Sequence, residues 1–228
     1  MNAKRAVRQE LLITELFASV QGEGVRAGLP TAFVRLARCP YRCTWCDSEY
    51  TFTGGDPMTI DAVLERVRGF GALPNVCITG GEPLVQRRAV EELSGCLLDQ
   101  HSGLQSVEIE TSGGLPIWPA ADSRLHWDLD VKCPGSGMER HFVPENLECL
   151  RAGDEIKFVV VDRADFDFAR RFVQEQLACT PAAIFFQPAW GLLQPVRLVE
   201  WLLAEPPPGV RLSLQQHKYI WEPDTHGV

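Results

Sequence analysis

Cys39, Cys43 and Cys46 fall within eight residues, as Cys39-Pro40-Tyr41-Arg42-Cys43-Thr44-Trp45-Cys46, with no fourth cysteine before Cys77. A structural zinc site takes four ligands, commonly as two paired knuckles. Here there is a single Cys-x-x-Cys with one further cysteine four positions before it, and His141, His217 and His226 are too isolated to complete a set by spacing. A disulfide would engage two of the three thiols and needs an oxidising compartment; an incidental cluster is the other alternative. The spacing favours an iron–sulfur centre held at three corners, whose remaining iron can bind a small molecule and pass an electron into it. Tyr41 and Trp45 would shield such a cluster from water, or simply pack. Cys77, Cys96, Cys149 and Cys179 read as ordinary core or surface thiols, and Cys133, between Lys132 and Pro134, as a loop residue.

Elements must exist to position that loop. At 228 residues, 45% hydrophobic and 23% charged, the chain is expected to form a single globular domain with its core at about 11–223. The net charge of −8 gives no support for nucleic-acid or anionic-membrane binding. No run approaches the roughly 18 apolar residues of a membrane span, and the first ten residues lack the apolar stretch of a signal peptide, so a cytoplasmic protein with reduced thiols is expected. Short apolar or β-branched runs predict strands at 11–17, 31–37, 75–79, 106–111, 125–131, 155–161, 183–187 and 210–215. Helical periodicity marks 59–69, with Thr59 as N-cap and Ile60, Val63, Leu64 and Val67 on one stripe. It also marks 84–100, 163–178, and 193–204 with Val196, Val199, Leu202 and Leu203 as the apolar stripe. This alternation implies parallel βαβ units. In such folds sites collect at strand C-terminal ends. The unusual residues fall there: the cysteines after 31–37, Gly80-Gly81-Glu82-Pro83 after 75–79, Glu110-Thr111-Ser112-Gly113 closing 106–111, Lys132 onward after 125–131, and Gln187-Pro188 closing 183–187.

The CxxxCxxC spacing followed by Asp47-Ser48 resembles the radical S-adenosylmethionine superfamily. Taken alone, Gly80-Gly81-Glu82-Pro83 reads equally as a turn. Its glycines also suit close backbone approach to a ligand, and Glu82 can accept from an ammonium group. The resemblance implies a reduced, partial parallel α/β barrel carrying one 4Fe-4S cluster. The free iron would be chelated by S-adenosylmethionine, which is cleaved reductively to a deoxyadenosyl radical. Outside that shared core, Val20-Gln21-Gly22-Glu23-Gly24, Gly28-Leu29-Pro30, Phe33-Val34-Arg35-Leu36 and Gln215-Gln216-His217-Lys218 are similar to the 7-carboxy-7-deazaguanine synthases, over about 11–223.

That narrower resemblance implies conversion of 6-carboxy-5,6,7,8-tetrahydropterin to 7-carboxy-7-deazaguanine with loss of ammonia, on the route to queuosine. The radical would take a hydrogen from carbon 6, the ring would contract, and the hydrogen would return. Substrate contacts carry over to Val20, Gln21, Gly22, Glu23, Arg35, Thr79, Glu110 and to His217 on the last strand. A guanidinium fork at Arg35 suits a carboxylate, although Arg35 alone could be a rim ion pair and Glu23 and Glu110 structural or exposed. Cofactor contacts carry over to Trp45, Gly81, Glu82, Thr111, Ser112, Asp130, Lys132 and Gln187. A magnesium ion is implied at Ser48, where the family pattern has threonine; the hydroxyl keeps a hard oxygen ligand. The tail Asp224–Val228 runs past the point where a short family member would stop, so a terminal-carboxylate contact would be missing or replaced. An electron donor such as a flavodoxin or ferredoxin and a homodimer are implied as partners. The competing readings are a glycyl-radical activating enzyme acting on a partner protein, and a non-catalytic metal-binding protein.

Overall fold

The structure, a computed structural model, describes residues 9–100, 103–223 and 225–228. Its strands are β1 (Glu10–Val20), β2 (Pro30–Leu36), β3 (Asp56–Thr59), β4 (Asn75–Gly80), β5 (Ser106–Thr111), β6 (Leu125–Asp130), β7 (Glu155–Val160), β8 (Ala183–Pro188) and β9 (Val210–Leu212). They form one nine-stranded sheet in the order β3-β1-β2-β4-β5-β6-β7-β8-β9, which does not close on itself. From β2 to β9 every pairing is parallel, whereas β1 runs antiparallel to both β2 and β3. The expected partial barrel is therefore an open, mostly parallel sheet.

Strand alternation sorts the two faces. Val107 and Ile109, Trp127 and Leu129, and Ile156, Phe158 and Val160 point to the helix-covered side and join one continuous core. Their neighbours Glu108, Glu110, Asp128, Asp130, Glu155 and Lys157 point to the opposite face, and Phe17, Phe33 and Cys77 form a small separate apolar cluster. The buried layer is covered by α1 (Ile60–Gly69), α2 (Arg87–Gln100), α3 (Arg163–Gln176) and α4 (Pro195–Ala204). The Thr59 side chain caps α1 by accepting from the Ala62 N–H at 3.3 Å.

Three expectations change. Residues 83–86 form a 3-10 turn ahead of α2 rather than its first turn, because Pro83 follows a Glu82 side chain already accepting from the Leu84 N–H. In α4 the buried stripe is Leu198 with Trp201 and Leu202 packed beside it, while Val196 and Leu203 are 60% and 78% exposed. Pro195 at the first turn sets that phase. His217 lies not on a strand but at the start of α5 (His217–Ile220), since β9 ends at Leu212.

Candidate active site

The concave, polar face of the sheet and the loops at its rim enclose a cavity of about 680 Å³. Arg38, a non-glycine residue at φ 81°, turns the chain out of β2 into the cysteine loop. It is anchored by donation from its own N–H to the Thr51 carbonyl at 2.7 Å. Gly81 then lets β4 pass beneath that loop: a Cβ there would collide with the Arg38 carbonyl. The close approach allows the Glu82 N–H to donate to the Arg38 carbonyl at 2.8 Å. The loop is held on its other side by Thr44, whose hydroxyl donates to the Gly135 carbonyl at 2.6 Å. Cys39, Cys43 and Cys46 are half-buried and unbridged, and all line the cavity. Burial, with the Glu82 carboxylate adding to it, pushes the Cys39 thiol up to about 11, and burial also raises Cys43. Iron binding must therefore displace protons.

Beside the cysteines, Lys132 pairs with Asp130 at 2.5 Å and sits 4.4 Å from the Trp45 ring centre. Trp45 Nε1, Asp130 Oδ1 and Gln187 Oε1 are buried with no partner among the described residues. All three residues line the cavity, so one donor and two acceptors without partners lie in its wall, which fits a polar cofactor bearing both amino and hydroxyl groups. Glu82 departs from expectation. It is fully buried and does not line the cavity. Its carboxylate accepts from the Leu84 N–H (3.0 Å), Thr111 Oγ1 (2.7 Å), the Ser112 N–H (2.9 Å) and Ser112 Oγ (2.5 Å). It thereby fixes the β5 end, where Thr111 and Ser112 do reach the cavity.

Across the cavity, Gln21 donates through Nε2 to Glu108 (2.7 Å) and Glu110 (3.2 Å), and Thr79 donates to the second Glu110 oxygen at 2.8 Å. Arg35 is held by Glu15 at 2.6 Å, and Tyr50 donates to the same Glu15 oxygen at 2.8 Å. Burial would raise Glu23, but Lys157 at 2.7 Å and then His217 hold its carboxyl down to about 2. Burial lowers the pKa of His217, against the carboxylates of Glu23 and Asp47, so its imidazole is neutral at neutral pH. Gly22 likewise lacks room for a side chain, because a Cβ there would strike the His217 ring. Ser48 lines the cavity with its hydroxyl 3.8 Å from Cys46 Sγ. Apart from Glu82, every residue expected from the sequence lies on this one cavity wall, Val20 and Gly22 included.

The sequence reading missed the floor. Glu108, Asp128 and Glu155 are each 1–2% exposed and offer carboxylate oxygens all within 4.8 Å of one another. At an effective dielectric of about 20, two unit charges at that spacing repel by about 3.5 kcal/mol. Arg26 at 3.1 Å from Glu155 and Lys157 at 2.9 Å from Asp128 offset only part of this. Burial and the neighbouring carboxylates raise all three groups, Asp128 to about 7 and Glu155 to about 9. The signal was a charge inside an apolar strand: Glu108 in SVEIET, Asp128 in LHWDLD, and Glu155 and Lys157 in EIKFVV. Asp47, Gln215 and Lys218 also line the cavity, and Lys218 bonds Asp47 at 2.5 Å. In the tail, Asp224 lies outside the described residues, His226 stacks on Tyr50 with ring centres 4.2 Å apart, and Val228 lines the cavity.

Residues 34–125 match the family described as the radical SAM superfamily. The chain is 43% identical to the 7-carboxy-7-deazaguanine synthase of Koribacter versatilis, over 95% of this chain and 99% of that protein. It is 42% identical to the protein of the same name from Chlorobaculum tepidum, over 96% and 97% of the two chains. Among solved structures it resembles QueE from Escherichia coli, with a TM-score of 0.70, 25% identity, and coverage of 91% of this chain and 95% of that one.

Proposed function

Because the chain belongs to the 7-carboxy-7-deazaguanine synthase family, we propose that it converts 6-carboxy-5,6,7,8-tetrahydropterin to 7-carboxy-7-deazaguanine with release of ammonia. It is a radical S-adenosylmethionine lyase of the queuosine pathway. The observation that carries the reading is that Cys39, Cys43 and Cys46 open onto the same cavity as Gln21, Arg35, Ser48 and His217.

The three cysteines hold the 4Fe-4S cluster, and Trp45, Asp130, Lys132, Gln187 and the Gly81 backbone hold S-adenosylmethionine, with Glu82 positioning Thr111 and Ser112 from below. When bound, this pair supplies the radical that removes a hydrogen from the substrate. The chain's own groups orient the pterin so that one hydrogen faces that radical. Arg35, steadied by Glu15, presents its fork to the substrate carboxylate. The ionised Glu23, with Glu110, accepts from the donor-rich pyrimidine edge, the backbone of Val20–Gly22 clamps the ring, and Thr79 and neutral His217 complete the pocket. Ser48 would supply a hard oxygen to a magnesium ion that helps bind the substrate carboxylate. The exposed apolar residues Leu192, Val196 and Leu203 support a homodimer, and a small flavodoxin- or ferredoxin-type protein is the electron donor.

Anaerobic turnover of the iron-reconstituted protein with dithionite, S-adenosylmethionine, magnesium and the carboxypterin is expected to give the deazaguanine acid and ammonia. An intact cluster that cleaves S-adenosylmethionine but leaves the pterin unchanged would defeat this substrate assignment.

A further inference from the structure

A cluster of three buried acids, Glu108, Asp128 and Glu155, meets the cavity at Asp128. Asp128 lines the cavity, is 2% exposed, and its Oδ1 has no partner among the described residues. Its other oxygen accepts from Lys157 at 2.9 Å, and Lys157 in turn donates to Glu23 at 2.7 Å. Behind Asp128 stand Glu108 and Glu155, each offering a carboxylate oxygen within 4.8 Å of the other's and of Asp128's.

We propose that Asp128 is a proton-transfer residue of the reaction, the cavity-facing member of a buried carboxyl cluster completed by Glu108 and Glu155. The proposal rests on the substrate assignment above. Loss of ammonia breaks a carbon–nitrogen bond, whose electron pair stays with nitrogen. It also breaks a ring carbon–hydrogen bond, whose pair becomes the new ring double bond. One proton must reach the leaving amine and one must leave carbon. Asp128 gives the first from its acid form and takes back the second as carboxylate, so each turnover returns it to its starting state with no other co-reactant. Asp128 itself lines the cavity, while Lys157 fixes the orientation of its carboxyl group.

The groups facing Asp128 set when it carries its proton. From β5 these are Glu108 and Glu110, from β7 Glu155 and Lys157, and from the segment after β1 Glu23 and Arg26, with Asp130 on its own strand. Burial and the β5 carboxylates outweigh Lys157 and raise the Asp128 carboxyl to about 7. The acid form is therefore present below that pH and lost above it, so product formation falls as pH rises through about 7.

In the reconstituted holoenzyme, Asp128→Asn should lower the rate of product formation by about 10²-fold or more. It should change the KM for the pterin little, still transfer hydrogen between substrate and deoxyadenosine, and lack the limb near pH 7. Glu108→Gln, which removes a like charge, should move that limb to lower pH. Infrared spectra of the substrate-free chain provide a second readout: acidic samples should show protonated-carboxyl absorption, part of which disappears in Asp128→Asn. An Asp128→Asn enzyme that keeps both its rate and its pH limb overturns the proposal, as does a chain with no protonated carboxyl at acidic pH. A wild type that never converts the pterin overturns the substrate assignment instead, and the infrared result still decides whether the cluster holds protons.

Discussion

Ser48 stands where the resemblance implies threonine; the difference is one methyl group, and the side-chain hydroxyl that would bear on a hard cation is kept. It lies 3.8 Å from Cys46 Sγ on the cavity wall. Ser48→Ala should therefore keep the cluster, read by its visible absorption, while magnesium affinity falls roughly tenfold or more, as losing even an outer-shell partner does. Retained magnesium stimulation in that variant would move the metal site elsewhere. Glu82 teaches a second lesson at this scale. A glutamate in a ligand-binding motif acts on the site from behind, through four donors that belong to the chain itself.

At the scale of elements, the turn after β1 and the start of α5 depend on each other for room. Gly22→Ala would push the His217 ring out of its place. It should raise the KM for the pterin about tenfold, the scale of one lost polar contact, while cluster content stays unchanged. The rim of the site was legible in the sequence because loops after strands announce themselves through glycine, proline and cysteine, as in Cys39–Cys46 and Gly80–Pro83. The floor was not. A strand such as EIKFVV reads as apolar overall, and only its parity, resolved once the sheet shows which face the helices cover, puts Lys157 on the cavity wall with Glu155 on the same face of the sheet. The phase of α4 was misread for a related reason: its high apolar content leaves several stripes open, and Pro195 together with the packing of Leu198 selects one. The antiparallel direction of β1 could not be told from composition, and the short β3 was not read as a strand because its four residues, Asp56-Pro57-Met58-Thr59, carry no buried apolar side chain.

For the whole molecule, the buried charges give stability two opposite dependences on pH. Glu23 is held below its ordinary value, so its contribution is present above about 4.5 and is lost as pH falls through about 2. Glu155 is held above its ordinary value, chiefly by burial and then by Asp128 and Glu108, so its contribution is full below about 4.5 and is lost as pH rises through about 9. Melting temperature should thus decline from about pH 4.5 to about 9. Glu155→Gln, which keeps an oxygen to accept from Arg26 but cannot ionise, should flatten that decline in a pH series of thermal melts. An unchanged slope across that range would place the strain in another group. The bonds that complete the cavity also impose an order in time. Gly22 accepts from the Gln216 N–H at 2.9 Å, and Glu23 accepts from Gln215, 192 positions away. The cysteine loop is braced chiefly by nearer residues, Thr51, Gly135, Ser136 and Met138, while Asp47 just after it accepts from Gln215 and Lys218. Contacts of such long separation form late, and a growing chain orders its N-terminal part first. The last residues of the chain therefore close both ends of the cavity at once, since Gln216 bonds Gly22 on the pterin side and Lys218 bonds Asp47 beside the cysteine loop.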